Sequence, residues 1–304
     1  MTIKFSENGP EIPSALLDAL IAGDVVFICG AGISAPQLPH FRLLVQQVYD
    51  RLNAEMDPSE EASFLAGRYE EALGSLSRRL VGVRDVVDTA SALLAVPDPV
   101  DLTRHATVLR LSRDIANQVI VVTTNFDTLI ERALAAHTGA DVREDSSAGQ
   151  GLPPPGGADF RGVIHLHGRL RDEALGLEPT PLVLTSADYG DAYMRSGWAS
   201  RFLFDLIRCK TIVLLGYSAS DAPVRYFLSV LAADRARFPA LNPVYSFYSV
   251  FEDVAEADAH WGTLAVEPIP YRAFRNQDTG DEDHAALYDD LAQLADVVER
   301  VLTG

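Results

Sequence analysis

Four short polar segments of this chain carry residues able to do chemistry. His165 and His167 stand two apart, with Gly168 behind them. An imidazole titrates near neutral pH, which suits proton transfer, and two on one strand face could begin a metal site. No third ligand is evident and the chain has no CxxC, so proton transfer by His167 is the stronger reading and His165 reads as a core residue. Asn125 and Asp127 flank Phe126. A carboxamide donates and accepts, so Asn125 can orient a neutral nucleophile without ionising. Either residue could instead cap the helix that follows. Gly30-Ala31-Gly32-Ile33-Ser34 is a glycine turn whose backbone N–H groups favour a diphosphate without a basic side chain, or else a plain tight turn. Gly216-Tyr217-Ser218 is the fourth segment, and Asp221 beyond it reads equally well as a cap.

Each segment directly follows an apolar run. Val25–Cys29, Val119–Thr123, Val163–Leu166 and Thr211–Leu215 read as strands buried on both faces. Leu182–Leu184, Val244–Val250 and Leu264–Ile269 add three more expected strands. Helical patterns cover Ile12–Ala22 with Ser14 as a possible cap, Thr128–Ala136, Trp198–Arg208, Ala222–Ala236 and Asp283–Val301. The prolines of Pro36–Arg42 predict an ordered, non-helical loop. Residues 43–112 hold no convincing strand and read as a helical insertion, with one helix over Ser59–Leu73 opened by Ser59. The expected fold is therefore α/β: a Rossmann-like, mostly parallel sheet with helices on both faces, one domain over 1–304. Ligands of such sheets bind beyond the C-terminal strand ends, where the four polar segments converge.

An ordinary dehydrogenase fits less well. Gly30, Gly32 and Ala35 satisfy G-x-G-x-x-A, but the acid about 20 residues on, Asp50, lies in a helical pattern rather than at a strand end. The formal net charge is −18, which disfavours nucleic acid and anionic membranes as partners. Cys29 and Cys209 both read as small core residues, consistent with a reducing, cytoplasmic compartment. The N-terminus has no basic stretch followed by an apolar run.

Taken in order, the segments resemble a sirtuin-type, NAD-consuming domain. Gly30–Ser34 is similar to that family's GAGIS. Pro39-His40-Phe41-Arg42 resembles its PDFR loop, with His40 where aspartate is usual. Thr124–Asp127 resembles its QNID, His167-Gly168 its HG, and Gly216–Ser218 its GTS. Trp261 and Ile269-Pro270-Tyr271 resemble the ending of the prokaryotic branch. The resemblance implies that Gly30, Ala31, Gly32 and Ser34 hold diphosphate and ribose, and that Gly216 and Ser218 meet the adenosine ribose. It implies that Asp127 contacts the nicotinamide carboxamide, that Phe41 covers the ribosyl cation, and that Arg42 pairs with the diphosphate or a carboxylate. Asn125 would place water or a ribose hydroxyl, and His167 would be the base. Deacylases of this family carry a four-cysteine zinc module after HG, whereas Arg169–Thr211 contains only Cys209. The resemblance therefore implies NAD as substrate, no zinc, and NAD hydrolysis. Its zinc-free bacterial members imply an anti-phage effector acting as a homo-oligomer or with a partner protein that senses the trigger. A deacylase, an ADP-ribosyltransferase and a non-catalytic NAD or ADP-ribose sensor are the alternatives.

Overall fold

The computed structural model describes residues 1–80, 85–139, 141–216, 222–237, 241–251, 266–275 and 282–303. A small antiparallel ladder joins β1 (Thr2–Ile3) to β2 (Ile12–Pro13). The main sheet contains β3 (Val25–Cys29), β4 (Ile120–Thr123), β5 (Ser146–Ala148), β6 (Gly162–His165), β7 (Thr211–Leu215), β8 (Val244–Val250) and β9 (Glu267–Arg272). Its order is β5-β6-β4-β3-β7-β8-β9, and every pairing is parallel. A second small ladder joins β10 (Phe274–Arg275) to β11 (Glu282–Asp283). The chain lays down β3, builds outward through β4 to β6, then returns to the other side of β3 for β7 to β9. The strand order thus reverses between β3 and β7, where a crevice opens in sheets of this kind.

The apolar runs become strands because helices bury both of their faces. Val25, Phe27 and Cys29 point into one core with Leu16 and Leu20 of α1 (Ser14–Ile21), Leu291 and Leu294. Val26 and Ile28 point into the opposite core with Phe202 and Leu206. The alternation is the period of two expected of a strand. Phe27 is 1% exposed, so Phe27→Ala costs about 3–5 kcal/mol. The first core is covered by α6 (Thr103–Leu111), α7 (Leu129–Thr138) and, later in the chain, the helix Ala285–Thr303.

Between β3 and β4 stand α2 (Phe41–Leu52), α3 (Pro58–Leu65), α4 (Tyr69–Arg79), α5 (Val86–Leu93) and α6. Leu44, Val48, Leu73 and Leu76 form a third core that also takes in Leu129, Leu182 and Leu184. The helical layer therefore packs on the loops leaving the strands. The remaining helices are α8 (Ser186–Tyr189), α9 (Trp198–Cys209), α10 (Ala222–Arg237) and α11, the helix Ala285–Thr303 named above.

Several local expectations need correction. Leu182–Leu184 is not a strand: Val183 N–H reaches His167 O, but no ladder continues from it. Pro13, not Ser14, occupies the cap position of α1, with no side-chain bond. Ser59–Leu73 divides into α3 and α4 around Gly67, which has φ +73°. The cap of α3 is Asp57, whose carboxylate accepts from Ser59 N and Glu60 N while Glu60 bonds back. Phe41 and Arg42 belong to α2 rather than to a loop. Cys209 ends α9 and is exposed, while Cys29 is buried as expected. No helix among the described residues is long and apolar enough to cross a membrane.

Candidate functional site

The loops leaving β3 and β4 lock together at Asn125. Its N–H donates to Thr123 Oγ1 at 3.0 Å, and Thr123 Oγ1 donates to Cys29 O at 3.0 Å. Its Nδ2 donates to Gly30 O and to Ser34 Oγ, both at 3.2 Å. A backbone carbonyl only accepts, so the nitrogen of the carboxamide must face Gly30. Both amide hydrogens are thereby spent. Among the described residues Oδ1 has no partner, so what Asn125 offers a ligand is an acceptor. It does not cap α7; Asp127, one residue before the cap position Thr128, accepts from Leu129 N at Oδ1 at 3.1 Å.

Ser34 Oγ is the hub of this cluster. It accepts from Asn125, donates to Asp127 Oδ2 at 3.0 Å, and meets His105 Nε2 at 3.3 Å. With the hydroxyl proton given to Asp127, His105 must supply its own proton from Nε2. Its Nδ1 is then bare, and it is buried without a partner. Burial holds the His105 imidazole down at about 4, so it is neutral at physiological pH. Burial also pushes the Asp127 carboxyl upward, opposed by the bonds from Leu129 and Ser34. His105 was not singled out in the sequence; α6 mixes polar and apolar residues, and one histidine among them carries no signal there.

The glycine turn serves the chain before any ligand. Gly30 N–H bonds Leu215 O and Gly32 N–H bonds Gly216 O, both at 2.9 Å. A Cβ on Gly32 would lie 2.7 Å from Gly216 Cα. Gly216, at φ +62°, would bring a Cβ within 2.6 Å of Ile33 N. The two glycines are required because the ends of β3 and β7 touch backbone to backbone. Ile33, Ser34 and Ala35 bond back to Gly30 and Ala31, which leaves Ala31 as the turn's one N–H without a backbone acceptor among the described residues. Gly30, Ala31, Gly32, Ser34, Asn125, Asp127 and Gly216 are thus brought together. Ser218 and Asp221, like Tyr217 and Trp261, lie outside the described residues.

His167 follows β6 and is 2% exposed. Its Nε2 lies 2.7 Å from the Tyr193 hydroxyl. The rings of Tyr189 and Tyr193 stack at 5.7 Å and meet the imidazole edge-on at 5.2 and 5.9 Å. A π-helical turn, Gly190–Arg195, carries Tyr193. Burial pushes the His167 imidazole down to about 3, so it is neutral. Its described side-chain contacts are with this aromatic cover and not with Asn125. The main chain links the two: Leu166 N–H bonds Thr123 O and Leu170 N–H bonds Phe126 O, both at 2.8 Å. Tyr189 and Tyr193 were missed in the sequence, where only their spacing of four hints that they act together.

Phe41 and Arg42 face the helical layer. Phe41 meets Tyr69 edge-on at 5.5 Å, and the Arg42 guanidinium lies 5.3 Å over the Phe64 ring. His40 serves the helix it precedes, since its Nδ1 accepts from Leu43 N at 3.3 Å and caps α2. Asp50 is exposed on α2, so no acid-tipped strand follows the glycine turn. Among the described residues no group of three His, Cys, Asp or Glu could hold a metal ion. An open charged cleft at the N-terminal ends of β4 and β6 is lined by Arg143 and Arg161, but these pair with Asp141 and Asp145.

The fold and the converging loops define a Rossmann-like α/β domain whose loops meet at the strand-order reversal. Residues 119–269 match the family model described as SIR2-like domain, so that stretch of the chain is similar to the sirtuin-like family. A Sinorhizobium fredii (strain NBRC 101917 / NGR234) protein, described as uncharacterized protein y4cA, is 54% identical over 292 residues, which cover 96% of this chain and 24% of that protein. The chain spans about a quarter of that relative's length. A solved structure described as "Structural Basis for the Mechanism and Regulation of Sir2 Enzymes" is similar over 95% of this chain and 98% of its own, with 15% identity and a TM-score of 0.45.

Proposed function

We propose that this chain is an NAD glycohydrolase, converting NAD and water to nicotinamide and ADP-ribose. The observation that carries this reading is the Asn125 carboxamide, pinned through both hydrogens to Gly30 O and Ser34 Oγ, with Oδ1 left to accept. An acceptor held in that way orients a water or a ribose hydroxyl by its proton and aims its lone pair. The glycosidic C–N bond breaks with its electron pair leaving on nicotinamide. A C–O bond to water forms at the ribosyl carbon, and the water's proton passes to a base. His167 is the base in this reading: it starts neutral, and since burial also weakens its hold on a proton, charge developing at the site must raise its affinity during the reaction. Substrate must exchange or share its bond to Tyr193, and the aromatic pair then keeps bulk water from the cation.

The diphosphate would lie at the Ala31 N–H and the glycine turn, with Gly216 and Ser218 toward the adenosine ribose. Asp127 would serve the nicotinamide carboxamide as well as accepting from Leu129 N. Phe41 and Arg42 would join only if α2 turned them from Phe64 and Tyr69. The absence of a four-cysteine module between Arg169 and Thr211 favours water over an acyl-peptide as the acceptor. Residues 1–304 would act as one sirtuin-like domain with 43–112 inserted in it. Its role would be cytoplasmic NAD depletion in anti-phage defence, as a homo-oligomer or with a trigger-sensing partner.

The test is incubation with NAD alone and with NAD plus an acyl-lysine peptide. Nicotinamide and ADP-ribose in equal amounts, unchanged by peptide, is the expected result. Nicotinamide release only with peptide would assign a deacylase instead.

A further inference from the structure

His165 lies at the end of β6, fully buried, and makes two bonds. Its Nδ1 is 2.9 Å from Asn125 O and its Nε2 is 2.6 Å from Glu131 Oε1. The carbonyl can only accept, so Nδ1 carries a proton. Glu131, also fully buried, is held in turn by Ser146 Oγ at 2.5 Å, and Ser146 Oγ by Arg169 at 2.6 Å. The main chain of Asn125 is thereby gripped at both ends, at N–H by Thr123 Oγ1 and at C=O by His165.

We propose that His165 is a positioning residue for the reaction: its Nδ1–H holds the Asn125 carbonyl and so fixes the carboxamide that orients the nucleophile. The inference rests on the glycohydrolase reading for its kinetic arm. The groups facing His165 are Glu131 from α7, Asp127 from the loop after β4 and Arg169 from the loop after β6. Burial lowers the imidazole's proton affinity, but the attraction and bond of Glu131 overcome it, and the net direction is upward. The folded value is raised, so the charged pair is complete below the unfolded value near 6.5 and is lost as pH rises through the folded one. Above it Nδ1–H stays on Asn125 while Nε2 turns a lone pair to the carboxylate, which loosens the grip.

Two substitutions separate positioning from packing. An Asn side chain places its amide nitrogen near the position of Nδ1, and a Gln side chain places it near Nε2. His165→Asn keeps kcat within about fivefold of wild type, whereas His165→Gln loses about 100-fold in kcat with KM within about twofold. Both remove the charge facing Glu131, and His165→Gln keeps a bond to that carboxylate, so a purely structural role would lower His165→Asn at least as much as His165→Gln, and that result overturns the proposal. If neither folds, Glu131→Gln decides. It keeps the Nδ1–H bond, so kcat stays within about fivefold and the alkaline limb of the pH–rate profile disappears. A 100-fold loss there also overturns it. If wild type releases no nicotinamide, with or without a partner, the kinetic arm is lost, and nitrogen-15 NMR of labelled histidine decides this point alone. A proton on His165 Nδ1, with or without one on Nε2, supports the assignment, and a bare Nδ1 contradicts it.

Discussion

His165 and His167 leave the same strand end two residues apart, yet their surroundings shift their proton affinities in opposite directions. Both are buried. His165 meets an equally buried carboxylate, and its imidazole is pushed up. His167 meets a phenol and two aromatic rings, and burial pushes it down to about 3. Desolvation acts on both; the presence of a counter-charge decides which way the balance falls. One histidine is thus held toward its charged form and braces backbone. The other keeps a lone pair, which is the state a general base needs.

The contrast can be broken most severely through Glu131. Glu131→Ala strands a buried imidazolium or forces it to deprotonate, and denaturant unfolding should show a loss of about 3–5 kcal/mol. The next effect, taken per pH unit, is in acid. His167 and His105 have folded values below the unfolded value near 6.5, so the unfolded chain binds protons first. Their contribution is complete above about pH 6.5 and falls as pH drops, by roughly 1.4 kcal/mol per unit for each group until its folded value is reached. Thermal melts from pH 7 to pH 4 should show that slope, and a His105→Gln, His167→Gln double variant should lose most of it. The smallest effect is Tyr193→Phe, which removes one bond between neutral groups and should cost about 1 kcal/mol. A loss as large as that of Glu131→Ala would mean that His167 is charged after all.

Much of this fold was legible in the sequence because apolar runs such as Val25–Cys29 are long and buried on both faces. Short elements were not. Ser146–Ala148 is a strand of small, half-buried residues with no periodicity to read, and Leu182–Leu184 is apolar because it packs under the helical layer, not because it pairs. Of the candidate site, the residues tied by loop chemistry were readable, and the structure draws Gly30, Ser34, Asn125 and Asp127 together. His105 and Tyr193 were not readable, since each reaches the rim from a helical turn distant in sequence, and neither was Glu131, because an acid in the first turn of a helix is ordinary. The glycines were read for a ligand, and Gly32 and Gly216 prove first to be needed by each other. His40 had no reading and is a cap.

The most direct test of the account places Asn125→Ala and His167→Ala beside wild type with NAD, following nicotinamide release and ADP-ribose affinity together. Release should fall at least about 1000-fold in both variants while ADP-ribose affinity stays within about tenfold and the melting temperature within a few degrees. Wild-type release from either variant would remove that residue from the mechanism and contradict the account.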